Sequence, residues 1–245
     1  MNRTRVIPVI TIIKNKMVKT VKFKNPHYIG DPLNAIKIFN EKRVDELIIL
    51  DIEASKNQKE PNYKLIEEMA GEAFMPLGYG GGIHTFEQAA KIFALGIEKV
   101  ILNSVLHNNP DIISKIAEVY GNQSVVVCLD YKKNIFGKWK CHYFSGTKSL
   151  SNDPRKLIES YIKKGAGEII IHNIEKEGTF QGFDLQMISK LSNIAVPIVA
   201  LGGCNGIDDM KTIIQQGANA VASGSFFCYK NNNTQSILIN YPQFI

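Results

Sequence analysis

Two stretches of the sequence have the same build but differ in the residue that could do chemistry. Residues 7–15 read IPVITIIKN and residues 125–133 read VVVCLDYKK, so each apolar run reaches a polar residue before a basic segment. That polar residue is Thr11 in the first stretch and Asp130 in the second. Asp130 is a candidate general acid or base, because a carboxylate can exchange a proton under ordinary conditions and a threonine hydroxyl cannot.

Short polar loops at four places could bind anions. Gly80-Gly81-Gly82 and Asn103-Ser104 form one set, and Gly202-Gly203 and Gly224-Ser225 form another. Glycine lets the backbone approach a ligand closely and direct its N–H groups at an anion. Two similar sets predict a substrate with a phosphate at each end. The alternative is that these glycines serve only tight turns between strands and helices.

Eight apolar runs could position these residues as strands. They are rich in Val and Ile and do not alternate with polar residues, as is typical of parallel strands buried on both faces. The predicted strands are 5–10, 46–52, 76–79, 99–103, 124–130, 168–174, 196–201 and 220–223.

Helix signals lie between these strands. Asp-Pro pairs at 31–32 and 153–154, the capping box at 85–88, Asn109-Pro110, Asp184 and Asp208 each mark a helix start. Eight strand–helix units predict a single (β/α)8 barrel over residues 1–245. We also expect a long loop over 14–30, a hairpin over 131–148 with its turn at Phe136-Gly137, and a short last helix near 234–240.

The two halves of the sequence repeat each other. VDELIILDI at 44–52 matches AGEIIIHNI at 166–174, and YGGGIHT at 79–85 matches LGGCNGI at 201–207. RVIPVIT at 5–11 matches SVVVCLD at 124–130. A regular internal match of this kind predicts two half-barrels, of about 1–122 and 123–245.

Four charged residues occupy the starts of predicted strands: Arg5, Glu46, Lys99 and Glu168. If their side chains face the barrel interior they must pair with one another, because a singly buried charge is costly. A closed ring of this kind would gate a passage along the barrel axis. The alternative is four outward-facing residues that make ordinary surface ion pairs.

Composition narrows the possible functions. The net charge of +6 suits phosphorylated metabolites, and we find no nucleic-acid motif. Five lysines at 14, 16, 19, 22 and 24 predict either a solvated loop or a loop that closes over an anionic substrate. No long apolar stretch or signal peptide is evident, and the four cysteines are widely spaced, so we expect a reduced cytoplasmic protein without disulfides, zinc or another cofactor.

The chain resembles the cyclase subunit of imidazole glycerol phosphate synthase, and the resemblance extends from Arg5 to about Tyr229. The motifs that carry it are GGGIH, LDI, VVVCLD, EGTxxGxD at 177–184 and the four strand-start charges. The resemblance implies a glutaminase partner on the amino-terminal face of the barrel, which releases ammonia. Ammonia would pass the charged gate and react at the opposite face with a bis-phosphorylated formimino-ribulosyl aminoimidazole carboxamide nucleotide.

The resemblance also assigns roles to residues. Arg5, Glu46, Lys99 and Glu168 match the gate, Lys19 matches a substrate-loop lysine, Asp51 matches a polar residue after strand 2, and Asp130 matches one of two catalytic aspartates. The positions that match the phosphate sites, or lie within them, are Gly81, Gly82, Asn103, Gly178, Gly202, Gly203, Gly224 and Ser225.

The departures from the family pattern cluster where the substrate would bind. Thr11 stands where the second catalytic aspartate is expected, Glu177 replaces an aspartate, His172-Asn173 replace a Thr-Ser pair, and GTKSLSN at 146–152 lacks the usual Asn-Thr-Gly. Glu177 and Lys19 are candidates to assist catalysis in place of Thr11. This pattern resembles a paralogous branch associated with amidation of sugars in surface-polysaccharide synthesis, in which the barrel would supply ammonia to a separate sugar amidotransferase.

Three functions therefore remain open. The first is an ammonia-conducting subunit for sugar amidation, and the second is a working cyclase in histidine biosynthesis. The third is a non-catalytic scaffold or basic binding barrel that keeps only the fold.

Overall fold

The computed structural model describes residues 4–150 and 153–242. The ends of the predicted domain 1–245 and the last two residues of the 146–152 stretch lie outside this part. The described strands are β1 Arg5–Ile13, β2 Lys16–Val21, β3 Lys24–Gly30, β4 Leu47–Asp51, β5 Leu77–Gly80, β6 Lys99–Leu102, β7 Val125–Lys133, β8 Trp139–Tyr143, β9 Lys148–Leu150, β10 Glu168–Asn173, β11 Ile198–Leu201 and β12 Ala220–Ser223. The described α-helices are α1 Pro32–Glu41, α2 Tyr63–Glu72, α3 Phe86–Ala94, α4 Ile112–Tyr120, α5 Pro154–Lys163, α6 Leu185–Leu191 and α7 Ile207–Gln215.

Within the described residues, eight parallel strands close into a barrel in the order β1, β4, β5, β6, β7, β10, β11, β12. These strands correspond to the eight predicted runs, and the (β/α)8 fold is confirmed. A large core of buried side chains fills the space between the sheet and the helices, and a smaller core fills the barrel interior. None of the helices in the described segments is long and apolar enough to cross a membrane.

The alternation of strand side chains positions the functional residues. The barrel interior contains Ile7 and Val9 from β1, Cys128 from β7 and Ile170 from β10. Because every second residue of a strand shares a face, Arg5 and Thr11 lie on the inward face of β1 at its two ends. Each barrel strand can therefore carry one inward residue at the floor, meaning the amino-terminal end of the strands, and another at the mouth, their carboxyl-terminal end.

The helix starts follow their predicted caps with one shift. Asp31, Thr85, Asp153 and Asp184 each accept a hydrogen bond from a backbone N–H in the first turn, and Thr85 with Gln88 forms the capping box. Asp208 does not cap α7, which begins earlier, after Gly206. Helix α2, which no individual signal predicted, is capped by Asn62.

The predicted loop at 14–30 is wrong in form, because this segment folds as two antiparallel strands, β2 and β3, that extend β1. Two-residue turns at Lys14-Asn15 and Lys22-Phe23 join the strands, and all four residues have positive φ. Turns of this geometry favour Gly and Asn, so three of these residues gave no signal.

The hairpin predicted over 131–148 is confirmed. Strand β7 continues past the barrel and pairs with β8 around a turn at Asn134–Lys138. The helix predicted near 234–240 is wrong. There the backbone instead bonds back to residues 227–230, and Asn231 and Asn232 turn the chain in the left-handed conformation that asparagine tolerates.

Candidate active site

The four strand-start charges meet at the floor of the barrel in a closed ring of ion pairs. Arg5 donates to Glu46 Oε2 at 2.6 Å and also to Glu168. The Nζ of Lys99 lies 2.9 Å from Glu46 Oε1 and 2.9 Å from Glu168 Oε2. Both carboxylates are buried, whereas the Arg5 and Lys99 side chains stay 30% and 20% exposed. This geometry excludes the alternative of four outward-facing surface pairs.

Electrostatics favour the charged state of the ring. Burial would raise the pKa of Glu168, but the hydrogen bond from Arg5 and the charge of Lys99 outweigh it and lower that pKa below its usual value. Burial would lower the pKa of Arg5, and its two carboxylate partners raise it instead. The ion pairs of the ring therefore stabilise the charged forms of Arg5 and Glu168.

A cavity of about 330 Å³ opens at the mouth of the barrel, above the ring. Among the predicted site residues it is lined by Thr11, Asp51, Gly81, Asn103, Asp130, His172 and Glu177. The hairpin β2–β3 covers part of it with Thr20, Phe23 and Pro26. A polar cavity of this size suits a small metabolite, or part of a larger one.

Two carboxylates hold one histidine between them in this cavity. His172 Nδ1 lies 3.1 Å from Asp130 Oδ1, and His172 Nε2 lies 3.2 Å from Glu177 Oε2. Asn103 donates to the second oxygen of Asp130 at 3.2 Å. Asp130 and His172 are directly opposite each other in the register of β7 and β10, which places their side chains on one face.

The interactions among these side chains shift the pKa values of His172 and Glu177. Burial would lower the pKa of His172, but hydrogen bonds with Asp130, Cys128 and Glu177 raise it well above the usual value. Burial would likewise raise the pKa of Glu177, and the histidine together with Lys19 lowers it. Glu177 and the imidazole of His172 thus stabilise each other's charged forms.

Thr11 lies on the rim of the same cavity, but its hydroxyl is engaged. Thr11 Oγ1 donates to the backbone carbonyl of Val18, across the hairpin between β1 and β2. The hydroxyl therefore anchors the hairpin, and it presents no carboxylate to the cavity opposite Asp130.

Lys19 is the one lysine of its cluster that turns inward. It is 3% exposed, whereas Lys14, Lys16, Lys22 and Lys24 are exposed. Its Nζ donates to the carbonyl of Val9 and interacts favourably with Glu177. Lys19 therefore lies beside a residue that lines the cavity, and its role with an anionic substrate stays a prediction.

The first predicted phosphate site opens to the cavity. Gly82 N donates to Ser55 Oγ at 3.1 Å, and Gly81 and Asn103 lie in the cavity wall. Gly81 has a φ of 120°, and a Cβ there would collide with the carbonyl of Asp51. The tight turn accounts for this glycine by itself, so the phosphate role stays a prediction.

The second predicted phosphate site is more enclosed. Within the described residues, its members Gly202, Gly203, Gly224 and Ser225 do not line the cavity, and Lys19 lies directly over Gly224. Gly178 packs against the carbonyl of Thr20, and Gly203 against that of Gly182. Ser225 Oγ is buried with no hydrogen-bond partner among the described residues, so a polar atom is available there for a ligand.

Asp51 and Asn173 mainly organise loops. Asp51 Oδ1 accepts hydrogen bonds from Glu53 N and Ala54 N, both at 3.0 Å, and burial raises the pKa of Asp51. Asn173 Oδ1 accepts from Glu175 N and its Nδ2 donates to Tyr131. Both side chains shape the turns that follow their strands.

Sequence reasoning missed two residues of the site. Phe23 of the hairpin packs on the His172 ring with centroids 4.9 Å apart. Cys128 Sγ lies 3.8 Å from Asp130 Oδ1. Its position two residues before Asp130 on the same face of β7 was the signal that could have placed it in the site.

Comparison with known proteins shows which sequences are similar to this chain. The model of the histidine biosynthesis protein family matches residues 5–234. A Vibrio vulnificus protein named provisionally as imidazole glycerol phosphate synthase subunit hisF3 is 48% identical, over 99% of this chain and 94% of its own. A Pseudomonas aeruginosa protein named provisionally as subunit hisF2 is 44% identical, over 99% and 97%. A Helicobacter hepaticus protein named as subunit HisF, without that reservation, is 33% identical, over 92% and 90%.

Proposed function

The chain belongs to the histidine biosynthesis protein family, within its imidazole glycerol phosphate synthase subunit HisF group. We propose that it is an ammonia-conducting subunit of a glutamine amidotransferase complex. A glutaminase partner would release ammonia at the floor of the barrel. The ammonia would then leave at the mouth for the amidation of a sugar in surface-polysaccharide synthesis.

The observation that carries this proposal is the contrast between an intact ring and an altered mouth. Arg5, Glu46, Lys99 and Glu168 form every pair that a closed gate needs. At the mouth, the hydroxyl of Thr11 is bonded to Val18, so Asp130 has no opposing carboxylate on β1. A barrel that keeps the four gate residues but lacks one of two acid–base groups is suited to delivery more than to cyclisation.

The exposed apolar residues of the barrel fit two partners at opposite ends. Phe74 is 88% exposed in the connection between α2 and β5, at the same end as the ring. Ile135 and Phe136 are 93% and 79% exposed at the tip of the β7–β8 hairpin, at the mouth. Large apolar side chains in such positions commonly mark protein contacts. We assign the Phe74 end to the glutaminase and the hairpin tip to the sugar amidotransferase.

Charge supports the second assignment. The hairpin segment 131–148 contains five lysines and no acidic residue. The tip would therefore fit a partner surface with an apolar pocket and an acidic rim, because complementary charge steers association.

Turnover of the histidine-pathway nucleotide tests the proposal. The purified subunit is assayed with ammonium salt and the bis-phosphorylated nucleotide beside an authentic cyclase, so that no glutaminase is needed. We expect turnover lower by at least about 10²-fold, the usual contribution of one acid–base group. Turnover equal to the authentic enzyme would overturn the proposal.

The second candidate is a working cyclase in histidine biosynthesis. Asp130 and Glu177 line the cavity, Lys19 interacts with Glu177, and the three could share the proton transfers. Ser225 Oγ remains available for a phosphate. Complementation of a histidine auxotroph that lacks the cyclase decides this point. Growth would favour the second candidate, and no growth with folded protein present would exclude it.

A further inference from the structure

Three buried side chains with different donor atoms converge on one point at the mouth of the barrel. Cys128 and Asp130 project from the inward face of β7, and His172 projects from the paired position on β10. Their donor atoms all lie within 4.8 Å of one another. No other group of three His, Cys, Asp or Glu side chains in the described segments gathers its donor atoms in this way.

The distances suit a tetrahedral ion. Ligands at about 2.0 Å for N and O and about 2.3 Å for S place N and O about 3.3 Å apart and S and O about 3.5 Å apart around zinc. The observed distances are 3.1 Å for His172 Nδ1 to Asp130 Oδ1 and 3.8 Å for Cys128 Sγ to Asp130 Oδ1. Small side-chain rotations would bring all three donors to an ion at their centre.

The surrounding residues provide the supporting hydrogen bonds of a metal site. His172 Nε2 faces Glu177 Oε2 at 3.2 Å, so an N–H held there lets Nδ1 bind an ion once the proton between Nδ1 and Asp130 is displaced. Asn103 donates to Asp130 Oδ2 at 3.2 Å, so Oδ1 is the oxygen turned toward the cluster. Carboxylate partners of ligating histidines are a general feature of zinc sites, where they fix the ring and its tautomer.

We propose that Cys128, Asp130 and His172 form a Zn²⁺ site at the mouth of the barrel, oriented by Glu177 and Asn103. A thiolate, an imidazole and one carboxylate select zinc over magnesium or calcium, which prefer oxygen ligands. Binding displaces the thiol proton of Cys128 and the proton shared between His172 and Asp130, and both pass to solvent.

The fourth position of the ion faces the cavity, because all three ligands line it. Three protein ligands and an open position are the arrangement of zinc sites that act on bound molecules, whereas structural sites use four protein ligands. Water or ammonia could occupy that position. The metal site does not depend on the proposed function, because a barrel could conduct ammonia with or without the ion.

Cobalt substitution tests the site without an activity assay. The full chain is stripped with chelator, kept reduced with a phosphine, and titrated with Co²⁺ alone. We expect saturation at one equivalent, a thiolate-to-cobalt charge-transfer band, and the visible absorption of four-coordinate cobalt. Subsequent Zn²⁺ should bleach both features. No saturable binding, or binding without the charge-transfer band, would overturn the proposal.

Matched variants locate the ion. Cys128→Ser should abolish the charge-transfer band, and Cys204→Ser, which alters another buried cysteine outside the cluster, should leave it intact. Glu177→Leu should weaken Zn²⁺ affinity by about 10–100-fold, while Glu177→Gln, which keeps an acceptor for Nε2–H, should largely restore it. A charge-transfer band that survives in Cys128→Ser contradicts the assignment. Circular dichroism of the metal-free variants shows whether each remains folded.

Discussion

The floor and the mouth of the barrel both bury charged groups, but they do so in different ways. At the floor, two cations and two carboxylates alternate, and each carboxylate contacts both cations. At the mouth, Asp130, Glu177 and His172 form a row beside an open cavity, with Cys128 at one side. A set of charges whose partners all come from the chain needs no ligand, whereas a set that borders a cavity has positions left for one.

Loss of one carboxylate from the ring gives the largest expected effect. Glu168→Gln leaves Arg5 and Lys99 with one carboxylate between them, so we expect the free energy of unfolding to fall by about 3 kcal/mol. Urea unfolding followed by circular dichroism measures this change. Glu159→Gln, in the exposed pair with Arg155, is the matched control and should cost no more than about 0.5 kcal/mol. Equal losses in the two variants would show that the ring is no more tightly coupled than a surface pair.

Lowering the pH should reduce the contribution of Glu168 to the free energy of unfolding. Because the pKa of Glu168 is lower in the folded chain than its usual 4.5, the unfolded chain binds more protons between these two values. The contribution of Glu168 is therefore complete above about pH 4.5 and is lost as the pH falls through the folded pKa. The difference in unfolding free energy between the protein and Glu168→Gln should shrink on acidification. A difference that stays constant down to pH 3 would contradict the lowered pKa.

A substitution at the mouth should produce a smaller effect than the loss of Glu168 from the ring, and it should be a gain of activity. Thr11→Asp restores a carboxylate across from Asp130, and we expect the ammonium-dependent cyclase rate to rise by about tenfold from its low starting level. The gain is limited because aspartate cannot donate to the Val18 carbonyl as Thr11 does. Thr11→Val is the control, which loses the same hydrogen bond at a cost of about 1 kcal/mol and should show no gain.

Asp130→Asn separates a vestigial rate from a native one. In the unmodified chain this substitution should not lower a residual cyclase rate, whereas in the Thr11→Asp background it should remove the gain. If Asp130→Asn abolishes a robust native cyclase activity, Asp130 is still a catalytic residue. That result would favour the second candidate function, a working cyclase.

The floor could be inferred from sequence to a greater extent than the mouth. Arg5, Glu46, Lys99 and Glu168 stand at strand starts, and a closed parallel barrel brings strand starts together whatever the loops do. The mouth depends on details without a sequence signal. The turns at Lys14-Asn15 and Lys22-Phe23 bring the β2–β3 hairpin over the cavity, and the register of β7 with β10 places His172 opposite Asp130. Neither follows from composition or periodicity.

The exposed residues Phe74 at the floor and Phe136 at the mouth allow partner binding at the two ends to be compared. Phe74→Ser should abolish stimulation of the glutaminase by this subunit, because it removes the large exposed apolar side chain that we assign to that contact. Phe136→Ser should leave that stimulation unchanged and instead weaken co-purification with the proposed sugar amidotransferase. Both residues are highly exposed, so each substitution should alter the unfolding free energy by less than about 0.5 kcal/mol.

Because both variants should remain folded, each one serves as the control for the loss of binding expected in the other. Stimulation is measured as glutamine hydrolysis by the glutaminase with and without the barrel, and co-purification as recovery of the amidotransferase on the tagged barrel. If Phe136→Ser reduced hydrolysis and Phe74→Ser did not, the glutaminase would dock at the mouth. Ammonia would then enter beside the cavity, the ring at the floor would lie off its route, and the ring would be a structural feature of the barrel.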